Sequence, residues 1–519
     1  MVSNIVAGVL GVVLGGASVE PSYNFLVLGG GFEREHNEIA LEKNVLYFQR
    51  TLGVFGVEPA TATLYFANGN DGQKTVRYLD EHREVQFKAP ELPHLLGAST
   101  RDSFQAWLSQ TLEKKPPRPT FLYFTGHGAL NFEDPDNNAL ALWGDGSLSV
   151  HSLARALDRL SPEAPVVAVM SQCFAGSFGN FIYWNGDPHA GVAAQPRCGF
   201  FATIKERTSV GCTPEVDEAD YRDYSSSFFA GLSGINRVGK PVDSADYDHD
   251  GHVSFAEAHA FAKVDGETSD LPVSTSEVWL QGQAQEEEET EIATRPILEL
   301  LASARPEQRH VIESLVKRLG VELEKSIDQN EKPLRKAMKT EPGAAAVGRL
   351  WLEVLNLGME ARVRKKADAG EVAVLDRLVA CEHGSWNAPP AVAPFPEENR
   401  PEVPSLCVAS EEEGGSPHRI ATLTRRKKSK LGPAWTPKFE ALFERAGMDL
   451  EDPLNLLYLQ EHNSPHTEAY HQAIYERLQA TLEGCGDQAS CESVLRMALR
   501  RLANEICTPD TPLSSMVSW

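Results

Sequence analysis

The chain has 519 residues, of which 42% are hydrophobic and 24% charged, and its formal net charge is −24. The length calls for two or three domains, and the composition is that of an ordinary globular protein. The acidity disfavours wholesale binding to nucleic acid or to anionic membranes, which need basic faces, and no apolar run has the length of a membrane span.

Residues 1–21 form an N-terminal segment. Positions 5–16 are apolar and rich in small residues, like the core of a signal peptide, but no Lys or Arg precedes them. A buried or loosely ordered segment is the preferred reading.

Residues 22–285 alternate between strand and helix patterns. A strand at 24–29 runs into three glycines, and helical spacing follows over 37–53. Strands are then predicted at 61–66, 121–125, 166–171 and 200–204, with helices at 103–112, 153–160 and 224–232. The run Val166 to Ser171 is apolar nearly throughout, as expected for a strand covered on both faces. This alternation predicts an α/β fold with a mainly parallel, three-layer sheet, whose functional groups gather beyond the carboxyl ends of the strands.

Residues 286–382 show helical patterns with many Lys and Glu. Residues 383–435 are rich in Pro, Gly, Ser and Glu and read as a flexible linker. The linker carries the one dense basic cluster, Arg425-Arg426-Lys427-Lys428-Ser429-Lys430. Helical patterns return over 436–519. Eight cysteines in so long a chain are not a disulfide scaffold. Cys198 and Cys212 read as incidental core or loop residues, and a Cys485–Cys491 bridge is expected only if the protein is exported.

Two predicted strands end in chemically reactive residues. One delivers His127 between two glycines in Phe124-Thr125-Gly126-His127-Gly128. The other delivers Cys173 in Ser171-Gln172-Cys173-Phe174-Ala175-Gly176-Ser177. Imidazole beside a thiol favours the thiolate and moves its proton, and the N–H groups of Gly128 and Cys173 would form an oxyanion hole.

This pattern resembles the clan CD cysteine peptidases: caspases, legumains, metacaspases and their prokaryotic relatives. The resemblance covers about residues 22–285. Phe200 to Ser209 is similar to the legumain strand that lines the specificity pocket. The family implies a caspase–hemoglobinase-like sandwich, Cys173 as nucleophile, His127 as general acid/base, and protein or peptide substrates. Bacterial relatives often act in signalling or defence. The chain departs from many relatives at Ser171, where they carry an acid. Ser171 is kept as a candidate pocket residue, and Glu33, Glu35, Glu38, Asp217, Glu218, Asp220 and Asp223 are candidate pocket carboxylates, which would favour cleavage after Arg or Lys. The cluster 425–428 is a candidate cleavage site in a zymogen, with an upstream protease as candidate activator, while a nucleic-acid patch is another reading of it. A legumain-like asparaginyl peptidase or transpeptidase and a non-catalytic binding protein are the alternatives. Nucleic acid and a membrane span are not expected.

Residues 246–257 match an EF-hand calcium loop. Asp246, Asp248, Asp250 and Glu257 would ligate Ca²⁺ by side chain and His252 by its carbonyl. Ser254 would ligate directly or through water, and Gly251 permits the turn. Ca²⁺ is the expected cofactor. The cytoplasm is the expected compartment, with export to the periplasm as the alternative.

Overall fold

The computed structural model describes residues 22–144, 146–395, 407–408, 415–428, 433–460, 466–482, 485–486, 488–508 and 511–517. The N-terminal segment 1–21 lies outside them. In chain order the strands are β1 (Asn24–Gly30), β2 (Thr63–Phe66), β3 (Val76–Leu79), β4 (Val85–Lys88), β5 (Thr120–Gly126), β6 (Gly128–Ala129), β7 (Ala139–Leu142), β8 (Gly146–Ser149), β9 (Val166–Met170), β10 (Arg197–Phe201), β11 (Val273–Ser274), β12 (Cys407–Val408), β13 (Gly415–Arg419) and β14 (Leu456–Gln460).

The central sheet has the order β11-β10-β9-β5-β1-β2. Its pairings are parallel except for the antiparallel edge between β10 and β11. β1, β5 and β9 are buried at every position. Alternate side chains of these strands enter opposite cores. Leu26, Leu28, Leu122, Phe124, Ala168 and Met170 face one, and Phe25, Val27, Phe121, Tyr123, Val167 and Val169 face the other. The helices Ile39–Val54, Tyr224–Ser233 and Phe255–Asp265 fill the second core with Phe48, Phe229 and Phe255. Thus the expected architecture holds as a mixed α/β fold with a mainly parallel central sheet.

The helical region that follows is built onto this sheet. Ile312, Leu315, Leu350, Val354 and Leu378 share one core with Leu26 and Leu122. A Cys198–Cys381 disulfide joins β10 to the helix Ala369–Glu382, so Cys198 is no incidental core residue. Just beyond that helix, Trp386 stacks edge-on against Phe25, Phe48 and Phe121.

The small sheets β3–β4 and β6–β8 carry no strong apolar alternation, which is why the sequence pattern does not announce them. β10 also begins three residues before its predicted start. Its first residue, Arg197, is buried but bonded through each of its three side-chain nitrogens, to Gln195 at 2.9 Å, the Phe181 carbonyl at 2.8 Å and Asp158 at 2.8 Å. A buried arginine with partners is acceptable inside a sheet, though it breaks the apolar run.

The C-terminal unit has its own core, which includes Trp435, Phe439, Ile474, Leu495 and Leu499. Helices Trp435–Arg445, Glu468–Leu482 and Gln488–Cys507 pack with an antiparallel sheet of order β12-β14-β13. Two disulfides, Cys407–Cys507 and Cys485–Cys491, lie within it. Within the stretch read as linker, β13 pairs with β14, and Ile420 and Ala421 are buried. Among the described residues, no helix is long and apolar enough to cross a membrane.

Candidate functional sites

β5 and β9 are neighbours, so His127 and Cys173 reach the same edge of the sheet. Their backbones touch: a Cβ added to Gly128 would lie 2.0 Å from the Cys173 carbonyl oxygen, so only glycine fits there. Phe174, next to the thiol, sits in the left-handed region at φ +60°. Even so, no hydrogen bond joins the imidazole to the Cys173 thiol among the described residues. The Cys173 Sγ accepts from the Ser209 N–H at 3.3 Å.

His127 turns instead toward Glu38 and Cys212. Its Nε2 lies 3.0 Å from Glu38 Oε2 and 2.9 Å from the His36 carbonyl. Glu38 is buried and also accepts from Arg77 at 2.6 Å. Burial alone would lower the imidazole pKa, but the Cys212 thiol and the Glu38 carboxylate outweigh it and push it to about 10. Burial would raise Glu38, but His127 and Arg77 hold it below its ordinary value. Burial pushes the Cys212 thiol up, with His127 opposing. Ligand atoms of Glu38, His127 and Cys212 all lie within 4.8 Å of one another. Cys212, read from sequence as incidental, is thus a partner of His127.

The candidate pocket residues stand in different settings. Glu35 is exposed on a short turn. Ser171 is buried and donates to the Phe124 carbonyl at 3.1 Å. Asp217 is exposed and caps the turn that begins at Glu218. Asp223 is buried, caps the helix Tyr224–Ser233, and pairs with Arg237 at 3.0 Å. Its oxygens are occupied by structure and are not offered to a substrate.

In the loop 246–257, carboxylate oxygens of Asp246, Asp248 and Asp250 lie within 4.8 Å of one another. Gly251 stands at φ +89° and donates its N–H to Asp246 Oδ2 at 3.1 Å. Glu257 is buried, receives the Tyr247 N–H at 2.8 Å, and closes a capping box with Ser254. His252 is exposed on the same turn.

A third cluster, missed from sequence, lies in the C-terminal unit. His418 stands on β13, and His466 and His471 flank the start of the helix Glu468–Leu482. The rings of His418 and His466 are 4.5 Å apart, and those of His466 and His471 are 5.7 Å apart. His418 Nε2 meets the Tyr470 hydroxyl at 2.8 Å, and that hydroxyl donates to the Ile420 carbonyl at 3.1 Å. His471 is buried, its Nδ1 has no hydrogen-bond partner, and burial with nearby Arg425 lowers its pKa to about 4. Five residues separate the end of β13 from the basic cluster. Arg425 donates to the His466 carbonyl at 3.0 Å, Arg426 pairs with Glu440, and Lys427 and Lys428 are exposed. The signal available in sequence was four histidines, at 418, 462, 466 and 471, bracketing this basic run.

Residues 408–506 match a family described as a nuclease family of the HNH/ENDO VII superfamily with conserved AHH. The match covers about a fifth of the chain. No curated protein matches the chain. No Ala-His-His triplet stands in the matched span, but His418, His466 and His471 all do. No caspase-like family matches, and the resemblance to clan CD peptidases is corrected accordingly. Thiol-protease activity after Arg or Lys falls with it, as do the asparaginyl and binding-module alternatives and the zymogen scheme. Peptide substrates and an upstream protease are withdrawn as partners, and the exclusion of nucleic acid is overturned. That exclusion failed because net charge averages over units. Residues 408–506 hold 12 Lys and Arg against 15 Asp and Glu, a net of −3 within the chain's −24.

Proposed function

We propose that the protein is a nuclease whose C-terminal unit hydrolyses phosphodiester bonds. The observation that carries this reading is the convergence of His418, His466 and His471 inside the span that matches a nuclease family. His418 Nε2 shares a hydrogen bond with the Tyr470 hydroxyl at 2.8 Å, and that hydroxyl also lies 3.1 Å from the Ile420 carbonyl. An imidazole of this cluster would take the proton of the attacking water. The new bond joins water oxygen to phosphorus, and the bond to the leaving sugar oxygen breaks. Arg425, Arg426, Lys427 and Lys428 place positive charge beside the cluster, as binding to a phosphate backbone requires.

The test uses the full-length protein with supercoiled plasmid and with RNA, with and without added divalent cations. Wild type cleaves, His418→Ala loses activity by roughly 100-fold or more, and Cys173→Ala keeps it. Equal cleavage by wild type and His418→Ala overturns the assignment.

The loop 246–257 is proposed to bind Ca²⁺ through Asp246, Asp248 and Asp250, with His252, Ser254 and Glu257 as the further ligands that the loop pattern calls for. Supporting this are the converging carboxylates and the bond from Gly251 to Asp246. Tyr247 stacks on His310 at 3.9 Å, so the loop is fastened to the helix Pro306–Leu319 and bound Ca²⁺ would stabilise the fold. Calcium should raise the melting temperature of wild type and not of Asp246→Ala; equal shifts would rule the site out. The finer description of the first unit as a three-layer, caspase–hemoglobinase-like sandwich is supported by strand order and two-faced burial alone, and no activity is attached to it. For compartment, the three disulfides favour export over the cytoplasm.

A further inference from the structure

We infer that Glu38, His127 and Cys212 form a binding site for a transition-metal ion of the zinc class. The three residues come from separate parts of the chain: the start of the helix Ile39–Val54, the end of β5, and the loop after β10. Their ligand atoms nevertheless lie within 4.8 Å of one another, and Glu38 Oε2 is 3.0 Å from His127 Nε2. A single zinc ion with bonds of about 2.0–2.3 Å gathers its ligand atoms to about this spacing.

The donor chemistry selects the ion. One carboxylate oxygen, one imidazole nitrogen and one thiol sulfur make a mixed set, which suits zinc and its neighbours and is poor for calcium or magnesium. The loop 246–257 offers oxygen only, so the two sites take different metals. Glu38 is held from behind by Arg77 at 2.6 Å, which fixes the carboxylate that faces the imidazole. Cys212 is exposed as a residue although its thiol is itself desolvated beside His127, so the site borders solvent and an ion held there would keep one coordination position for water or another ligand. On binding, the imidazole and thiol protons leave to solvent and the sulfur coordinates as thiolate. Cys173, on the same edge, is held by Ser209 and is not part of the set. This site does not depend on the nuclease reading.

Cobalt is the probe, because a thiolate bound to Co²⁺ gives a near-ultraviolet charge-transfer band that oxygen and imidazole ligands do not. Chelator-treated full-length protein should develop this band with one equivalent of Co²⁺, and Zn²⁺ should abolish it. Cys212→Ser should lose the band, Cys173→Ser should retain it, and Glu38→Gln should bind at least about tenfold more weakly. Circular dichroism reports whether the variants fold. If Cys212→Ser does not fold, wild type decides alone. Zn²⁺ should then slow alkylation of Cys212 and leave Cys173 unaffected in the same sample. No band in wild type, a band that survives in Cys212→Ser, or equal protection of both thiols overturns the site.

Discussion

Asn455 grips the backbone of Ala421 from both sides. The Ala421 N–H donates to Asn455 Oδ1 at 2.7 Å, and Asn455 Nδ2 donates to the Ala421 carbonyl at 2.9 Å and to the Leu450 carbonyl at 2.8 Å. Both residues are fully buried, so these bonds replace water that cannot enter. The clamp fixes the chain three residues after His418 and just before the basic cluster. Asn455→Ala removes three bonds and leaves buried backbone groups unpaired, costing roughly 2–4 kcal/mol in the C-terminal unit. Denaturant unfolding measures that loss. If His418 is the base, cleavage by the still-folded variant should also fall, because its turn is released. Unchanged stability and unchanged cleavage would show the clamp to be incidental.

Lys427 and Lys428 are exposed and, unlike Arg426, have no ion-pair partner among the described residues. Free cations beside a polyanion site release counterions on binding. Lys427→Ala/Lys428→Ala should therefore lower the slope of log affinity against log salt by about 2 for duplex DNA, with uniform weakening across sequences. An unaltered slope would place nucleic acid elsewhere on the molecule.

How much of this was legible follows from where each residue lies. β1, β5 and β9 were readable because they are apolar and buried at every position, and their order placed His127 and Cys173 at one sheet edge. Which group His127 would bond was not readable. Glu38 and Cys212 arrive from loops, and no periodicity marks a loop residue's partner. His418 stands in Gly415-Ser416-Pro417-His418-Arg419, a strand without apolar alternation, so its fold context was invisible. Its chemistry was further hidden by a net charge dominated by the other residues.

Asp270 ties the loop that carries Cys212 to the body of the fold, accepting the Val210 N–H at 2.9 Å. Burial pushes its carboxyl up to about 7, with the Val210 N–H and Arg349 opposing. The native state therefore keeps a proton that the unfolded chain releases near pH 4. Between about pH 4 and 7 the native state binds more protons, so this group makes stability fall as pH rises, with the full penalty present above 7. Asp270→Asn abolishes that slope. Relative to wild type, the variant should gain stability from pH 5 to pH 8, by up to a few kcal/mol. Urea unfolding at the two pH values checks this, and parallel stability curves would count against it.

Six of the eight cysteines are paired, which leaves Cys173 and Cys212 as thiols. Under denaturing, non-reducing conditions two thiols should react with a thiol reagent, and eight after reduction. The Cys198–Cys381 bridge spans a sequence separation of 183 and joins β10 to the last helix over the sheet. A crosslink of that span mainly restricts the unfolded chain, so Cys198→Ser/Cys381→Ser should cost roughly 2–5 kcal/mol. Reductant should then lower the melting temperature of the first unit in wild type and leave the double variant unchanged. Eight reactive thiols before reduction, in protein made in an oxidising compartment, would mean that the bridges do not form and would remove the support for export.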